Sequence, residues 1–231
     1  MGYLIALLLF ISLYILGIVF LKRLKENKIC NIGIPIFIFV LYLYCLITIL
    51  IKCGMYDWNF TNALPTANVS PFMYCGCFIL IFLPKSVRKY GNTLISFLSL
   101  GMLFAGVFSL IYNVMRDYNF YLHFVVDSFI HILLSWYGIY LYKTKQVFFE
   151  KKKRVFSSAV IVSVAVIMLV LNVIFDQSFF GLSLNRKHNI YSVVLCDDSN
   201  LSAIIYFSGL IFVLLIGSLY QKILSRKLYK N

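Results

Sequence analysis

The stretch NFYLHFVVDSFIHILLSWYGIYLY, residues 119–142, decides how the chain is read. It is apolar over more than the roughly 20 residues a helix needs to cross a bilayer. Yet it carries His123, Asp127 and His131 at intervals of four, with Ser135 one step further. On a helix, a step of four advances only about 40° around the axis. The four polar groups therefore form one slowly turning stripe, and the leucines, isoleucines and phenylalanines are left for lipid or packed neighbours. An ionisable side chain at membrane depth costs about 2.5 to 3.5 kcal/mol on insertion scales, so the stripe is a candidate functional site.

The rest of the chain fits a housing for that stripe. Of 231 residues, 62% are hydrophobic and 13% are charged, against about 45–50% and about 25% in a soluble globular domain. Seven apolar spans are predicted, at about 2–21, 31–51, 64–83, 92–113, 119–142, 155–175 and 201–221. The first lacks the basic start and small-residue cleavage site of a signal peptide and is read as a true span. The expected fold is all-α, a polytopic helical membrane bundle forming a single domain over residues 1–231.

Charge placement gives the expected orientation. The loops after spans one, three, five and seven carry 17 of the 21 basic residues, among them Lys22, Arg23, Lys85, Arg88, Lys151 and Lys227. The opposite side has Lys52, Arg116, Arg186 and Lys187. The positive-inside rule then predicts the N-terminus outside, the C-terminus in the cytoplasm, and a multi-pass protein of the cell membrane. The net charge of +13 is thereby accounted for by topology and by contacts with anionic headgroups. Membrane lipids are the expected partners, and nucleic acid is not.

The third span is short. Its continuous apolar run, PFMYCGCFILIFL, covers only residues 71–83, so Asn68 and Ser70 must be drawn into the outer part of the membrane. Counted at 1.5 Å per residue, Ser70 lies roughly 20 Å from the end of that run at Leu83, and His131 roughly 17 Å from its own end at Tyr142. The two polar sites are at similar depth and are candidates to meet. The cytoplasmic half is expected to be poor in buried polar groups.

Several chemistries are open to this set. His123, Asp127 and His131 are acceptable metal ligands, but eight residues of helix separate the histidines by about 12 Å, so one ion cannot take all three. No metal and no cofactor are expected. The six cysteines include Cys75 and Cys77, read as small core residues, and Cys53 and Cys196, which fall on the same side and can pair. A hydroxyl at Ser70, an imidazole at His131 and a carboxylate at Asp127 would make an acyl-transfer arrangement, since Asp127 and His131 stand one turn apart. Asn68 or backbone amides would then stabilise the oxyanion. The structural alternative is that Asp127 and a histidine satisfy each other and pin helices together. A transporter, receptor or immunity-type membrane protein would use the same stripe to line a solute path or simply to hold the bundle.

Three stretches add a resemblance. Leu64-Pro65 followed by Asn68-Val69-Ser70-Pro71, Phe129-Ile130-His131 followed by Tyr137-Gly138-Ile139-Tyr140-Leu141, and Asn189-Ile190-Tyr191 resemble motifs of the YwaF-type integral membrane proteins of bacteria. The vertebrate relatives of that family are multispan phospholipid acyltransferases. The resemblance implies a lipid-directed acyltransferase or acyl hydrolase with His131 as catalytic histidine and Ser70 at the family's cysteine position. The chain departs from the pattern in that serine, in one extra residue after Pro65, and in Gly138 where the family has proline. Cys75 and Cys77, further along the same helix, are the substitute nucleophiles that an acyl-cysteine would require.

Overall fold

The structure, a computed structural model, describes residues 26–56, 69–115 and 122–175 without a break. It also describes positions 8, 11–12, 15–17, 19, 208–209, 211–212, 214–219 and 222 of the two end segments. Every regular element among the described residues is an α-helix. Within the unbroken stretches they are, in chain order, α1 (Lys28–Tyr56), α2 (Val69–Leu80), α3 (Lys85–Met115), α4 (Leu122–Lys143) and α5 (Lys151–Phe175).

Helices α3 and α4 form the largest interface and make the centre. Helix α1 packs on α4 and α2, while α5 packs on α3. Within α1, α4 and α5, the segments Lys28–Thr48, Val125–Lys143 and Lys151–Phe175 are each long and apolar enough to cross a membrane. Their surroundings differ in a way that follows from position. Most of α4 is buried by its neighbours, whereas α5 buries one narrow stripe of Ser157, Ile161, Ala165 and Asn172. Its remaining faces expose large apolar side chains such as Val160, Ile167 and Ile174. A helix apolar on every side with one packed stripe is suited to a hydrocarbon solvent.

Local sequence explains the helix ends. Asn27 caps α1 by accepting the amide of Ile29 at 2.9 Å, the usual Ncap-to-N2 bond. Pro84 begins the first turn before α3, with its carbonyl accepting the Arg88 amide at 2.9 Å, so α3 starts well before the apolar run at residue 92. The Arg88 guanidinium donates back to the carbonyls of Ile81 and Leu83, closing the turn that ends α2. Helix α4 ends in paired bonds from the Lys145 amide to Tyr142 O (3.1 Å) and from the Gln146 amide to Leu141 O (3.0 Å). Lys145 is left-handed there, with φ of 59°, which is the Schellman geometry that glycine usually fills.

Close backbone approach holds the centre together. Gly138 of α4 lies against Ser99 and the Ile95 carbonyl of α3, where an added Cβ would collide. Gly217 of the last apolar segment lies in the same way on the backbone of Phe97, and Gly17 of the first lies on the Trp136 ring. Small residues at these crossings let helices approach where hydrophobicity gives no contrast with lipid.

The basic end carries its own polar network. Tyr140, fully buried, donates from its hydroxyl to Asn31 Oδ1 at 2.7 Å and accepts the Asn27 amide at 3.1 Å. Gln146 Nε2 donates to the same Asn31 oxygen at 2.8 Å, and the Phe148 amide to Thr93 Oγ1 at 2.9 Å. Asn92, Thr93, Ser96 and Ser99 are buried nearby. This half is therefore rich in buried polar groups, contrary to the expectation from sequence. The reason is that amide and hydroxyl side chains, which an apolar run does not set apart as it does an ionisable group, satisfy helix ends and loop backbone there.

Candidate functional site

Ser70 sits in the first turn of α2, at the positive end of its dipole. Tyr74 follows one turn later on the same face. Asp127 and His131 stand one turn apart on α4. These two helices meet at the level of the four residues.

The contacts are short. Ser70 Oγ lies 2.9 Å from His131 Nε2 and 3.7 Å from Met102 Sδ of α3. His131 Nδ1 lies 2.8 Å from the Asp127 backbone carbonyl and 3.6 Å from its carboxylate Oδ2. The Tyr74 hydroxyl is 2.8 Å from Nδ1, 3.3 Å from Nε2 and 3.4 Å from Asp127 Oδ1. The Tyr74 and His131 rings cross at 88° with centroids 5.7 Å apart.

Burial differs along the set. Tyr74 is fully buried and His131 nearly so. Ser70 is half-buried, and the Asp127 side chain keeps 33% of its surface exposed. A carboxylate left partly exposed loses less hydration than a fully buried one, and the polar groups around it supply part of what is lost. The imidazole, by contrast, is held on both sides by protein.

The carbonyl of Asp127 and the Tyr74 hydroxyl compete at one nitrogen. A backbone carbonyl only accepts, so its 2.8 Å approach favours the imidazole proton on Nδ1, whereas the Tyr74 hydroxyl, also 2.8 Å from Nδ1, can donate there instead. With the proton on Nδ1, Nε2 is a lone pair aimed at Ser70, and the Ser70 hydroxyl donates to it. A hydroxyl so placed can lose its proton to the imidazole as it attacks a carbonyl carbon.

Ser70, Asp127 and His131 thus come into one contact network. Ser135, the last member of the stripe, is buried on α4 with no hydrogen-bond partner for its hydroxyl among the described residues, and Ser128 and Tyr42 share that state. His123 lies in the first turns of α4, with its side chain outside the described ones. Asn68, Asn189 and Tyr191 lie outside the described residues, as does any pairing of Cys53 with Cys196. Cys75 is half-buried and Cys77 buried in the core, both as free thiols, and neither makes a hydrogen bond to His131. Among the described residues, no three metal-ligating side chains converge.

Tyr74 is the site residue that sequence reading passed over. In the run MYCGC it reads as one more core aromatic. Its signal was the interval of four from Ser70, which puts both on one face of a helix. Met102 carried no signal at all, since only packing brings α3 to Ser70.

Compared with protein-family models, with curated proteins and with solved structures, the chain matches none of them.

Proposed function

We propose that this chain is a seven-span cell-membrane protein of the YwaF type, N-terminus outside and C-terminus cytoplasmic, that transfers or hydrolyses an acyl group of a lipid. The observation that carries the reading is the 2.9 Å contact between Ser70 Oγ and His131 Nε2. The resemblance at Leu64-Pro65, His131 and Asn189-Ile190-Tyr191 adds the lipid substrate class.

In this reading Ser70 Oγ attacks the ester carbonyl while its proton passes to His131 Nε2. The bond from the carbonyl carbon to the leaving oxygen breaks, and that oxygen takes the proton from Nε2. The acyl group now rests on Ser70. Water, or the hydroxyl or amine of a second lipid, gives its proton to Nε2 and attacks the acyl-serine, and Ser70 leaves with the proton restored. The dipole of α2 favours negative charge at Ser70, where the oxyanion would develop. Ten residues of helix place Ser70 roughly 15 Å inside the basic end at Leu80, a depth that suits an acyl ester better than a water-soluble substrate.

A fluorophosphonate tests this directly. Purified wild type is expected to be labelled at Ser70, and Ser70→Ala or His131→Ala to lose labelling while still folding. Wild type that folds and resists every such probe would overturn the covalent mechanism.

A second reading is favoured by the closure of the network. Ser70, Tyr74, Asp127 and His131 all find partners within the set, which is what a helix-pinning cluster in a transporter, receptor or immunity-type protein needs. Under it, Ser70→Ala lowers stability and no probe labels the wild type.

A further inference from the structure

The carboxylate of Asp127 does not hold the imidazole directly. Its Oδ2 stands 3.6 Å from His131 Nδ1, beyond an N–H···O bond. The Tyr74 hydroxyl stands between them, 2.8 Å from Nδ1 and 3.4 Å from Oδ1. The Cys45 thiol of α1 also lies within electrostatic range of Asp127.

Two proton arrangements use these donors. In the first, Nδ1–H donates to the Asp127 carbonyl, Tyr74 O–H donates to the Asp127 carboxylate, and Ser70 O–H donates to Nε2. Each acceptor then faces a donor. In the second, Tyr74 O–H donates to Nδ1 and Nε2–H donates to Ser70. The Nδ1 lone pair then faces a carbonyl lone pair at 2.8 Å, and the carboxylate loses the Tyr74 proton. The first arrangement removes that opposition at Nδ1 and turns the Tyr74 proton toward a charged acceptor at 3.4 Å, so it is the favoured one.

We propose that Tyr74 is the positioning residue through which Asp127 sets the tautomer of His131. With the Tyr74 proton committed to the carboxylate, His131 keeps its own on Nδ1 and presents Nε2 bare to Ser70. Without the carboxylate, Tyr74 turns to Nδ1. The imidazole proton then moves to Nε2, where it blocks proton transfer from Ser70. The consequence for catalysis rests on the acyl-transfer reading, whereas the tautomer does not.

The chain has three histidines, so full-length protein carrying 15N-labelled histidine gives few enough imidazole signals to resolve, with His131→Gln to assign the one that matters. The spectra are taken above the ordinary imidazole pKa of about 6.5, where the 15N shifts report which nitrogen bears the proton. Wild type and Tyr74→Phe are expected in the Nδ1–H form, Asp127→Ala in the Nε2–H form, and Asp127→Ala/Tyr74→Phe back in the Nδ1–H form. If Asp127→Ala does not fold, Asp127→Asn is expected to show both tautomers and Asp127→Asn/Tyr74→Phe only Nδ1–H. In parallel, fluorophosphonate labelling should fall tenfold or more in Asp127→Ala and recover most of that loss in the double variant. An Nε2–H wild type, or a double variant that stays Nε2–H, overturns the proposal. The expected tautomers with an unlabelled wild type would uphold the role of Tyr74 and remove the acyl-transfer reading.

Discussion

At Ser70, geometry and residue type point to different details. The contact with His131 Nε2 is what a nucleophile requires, yet the resembled family carries cysteine there. Ser70→Cys is therefore expected to give a thiolate paired with His131. By mass spectrometry, iodoacetamide should modify the introduced thiol on the order of tenfold faster than the native Cys75 and Cys77. That advantage should vanish when His131→Ala is added. Equal rates with and without His131 would mean that the imidazole does not activate this position. The interval of four between Asp127 and His131 was legible in the sequence because a helix fixes it. Tyr74 was not, because an aromatic in an apolar run reads as core until a neighbouring helix shows what its hydroxyl meets.

The elements carry two stability predictions. Gly138 of α4 admits the Ser99 side chain and the Ile95 carbonyl of α3, so Gly138→Ala forces the central pair apart. Overpacking of this kind costs about 1–3 kcal/mol, and thermal unfolding in detergent should read a lower midpoint. Lys145 ends α4 in the left-handed region, where a side chain is strained by about 1 kcal/mol relative to glycine. Lys145→Gly is expected to raise the midpoint, and an unchanged or lower one would mean that lysine contacts outweigh the backbone strain. Sequence placed these helices from their apolar runs, and the run within α3 begins at about residue 92. The extension to Lys85 comes from the Pro84 turn and the Arg88 bonds to Ile81 and Leu83, which polar composition hid.

Across the whole molecule, the antiparallel order gathers the start of α1, the α2–α3 turn and the α4–α5 loop at one end. That end is basic and aromatic. Lys89 and Lys153 lie 5.0 and 4.7 Å from the Phe148 ring centroid, and Tyr90 packs against Phe148 and Phe156. Lysine with aromatic side chains at the end of apolar helices matches the chemistry of a headgroup layer. Single cysteines introduced at Lys151 or Lys85 in a cysteine-free background should therefore resist a membrane-impermeant maleimide in intact cells and react once the cells are opened. Labelling of these positions in intact cells would reverse the proposed orientation.

Sequence by itself determined the helical class, the apolar runs and the basic segments between them, because each follows from local composition and from the 3.6-residue period. It also determined that Asp127 and His131 share a face. The pairing of α2 with α4 is a different matter. Ser70 and His131 are 61 positions apart, and similar expected depth made them eligible to meet without choosing the rotation of either helix. That choice comes from packing, including the fit of Gly138 onto α3, the insertion of Tyr74 beside the imidazole and the docking of Tyr140 on the start of α1. Each is a contact between surfaces that no local pattern records, and together they decide which polar groups find one another.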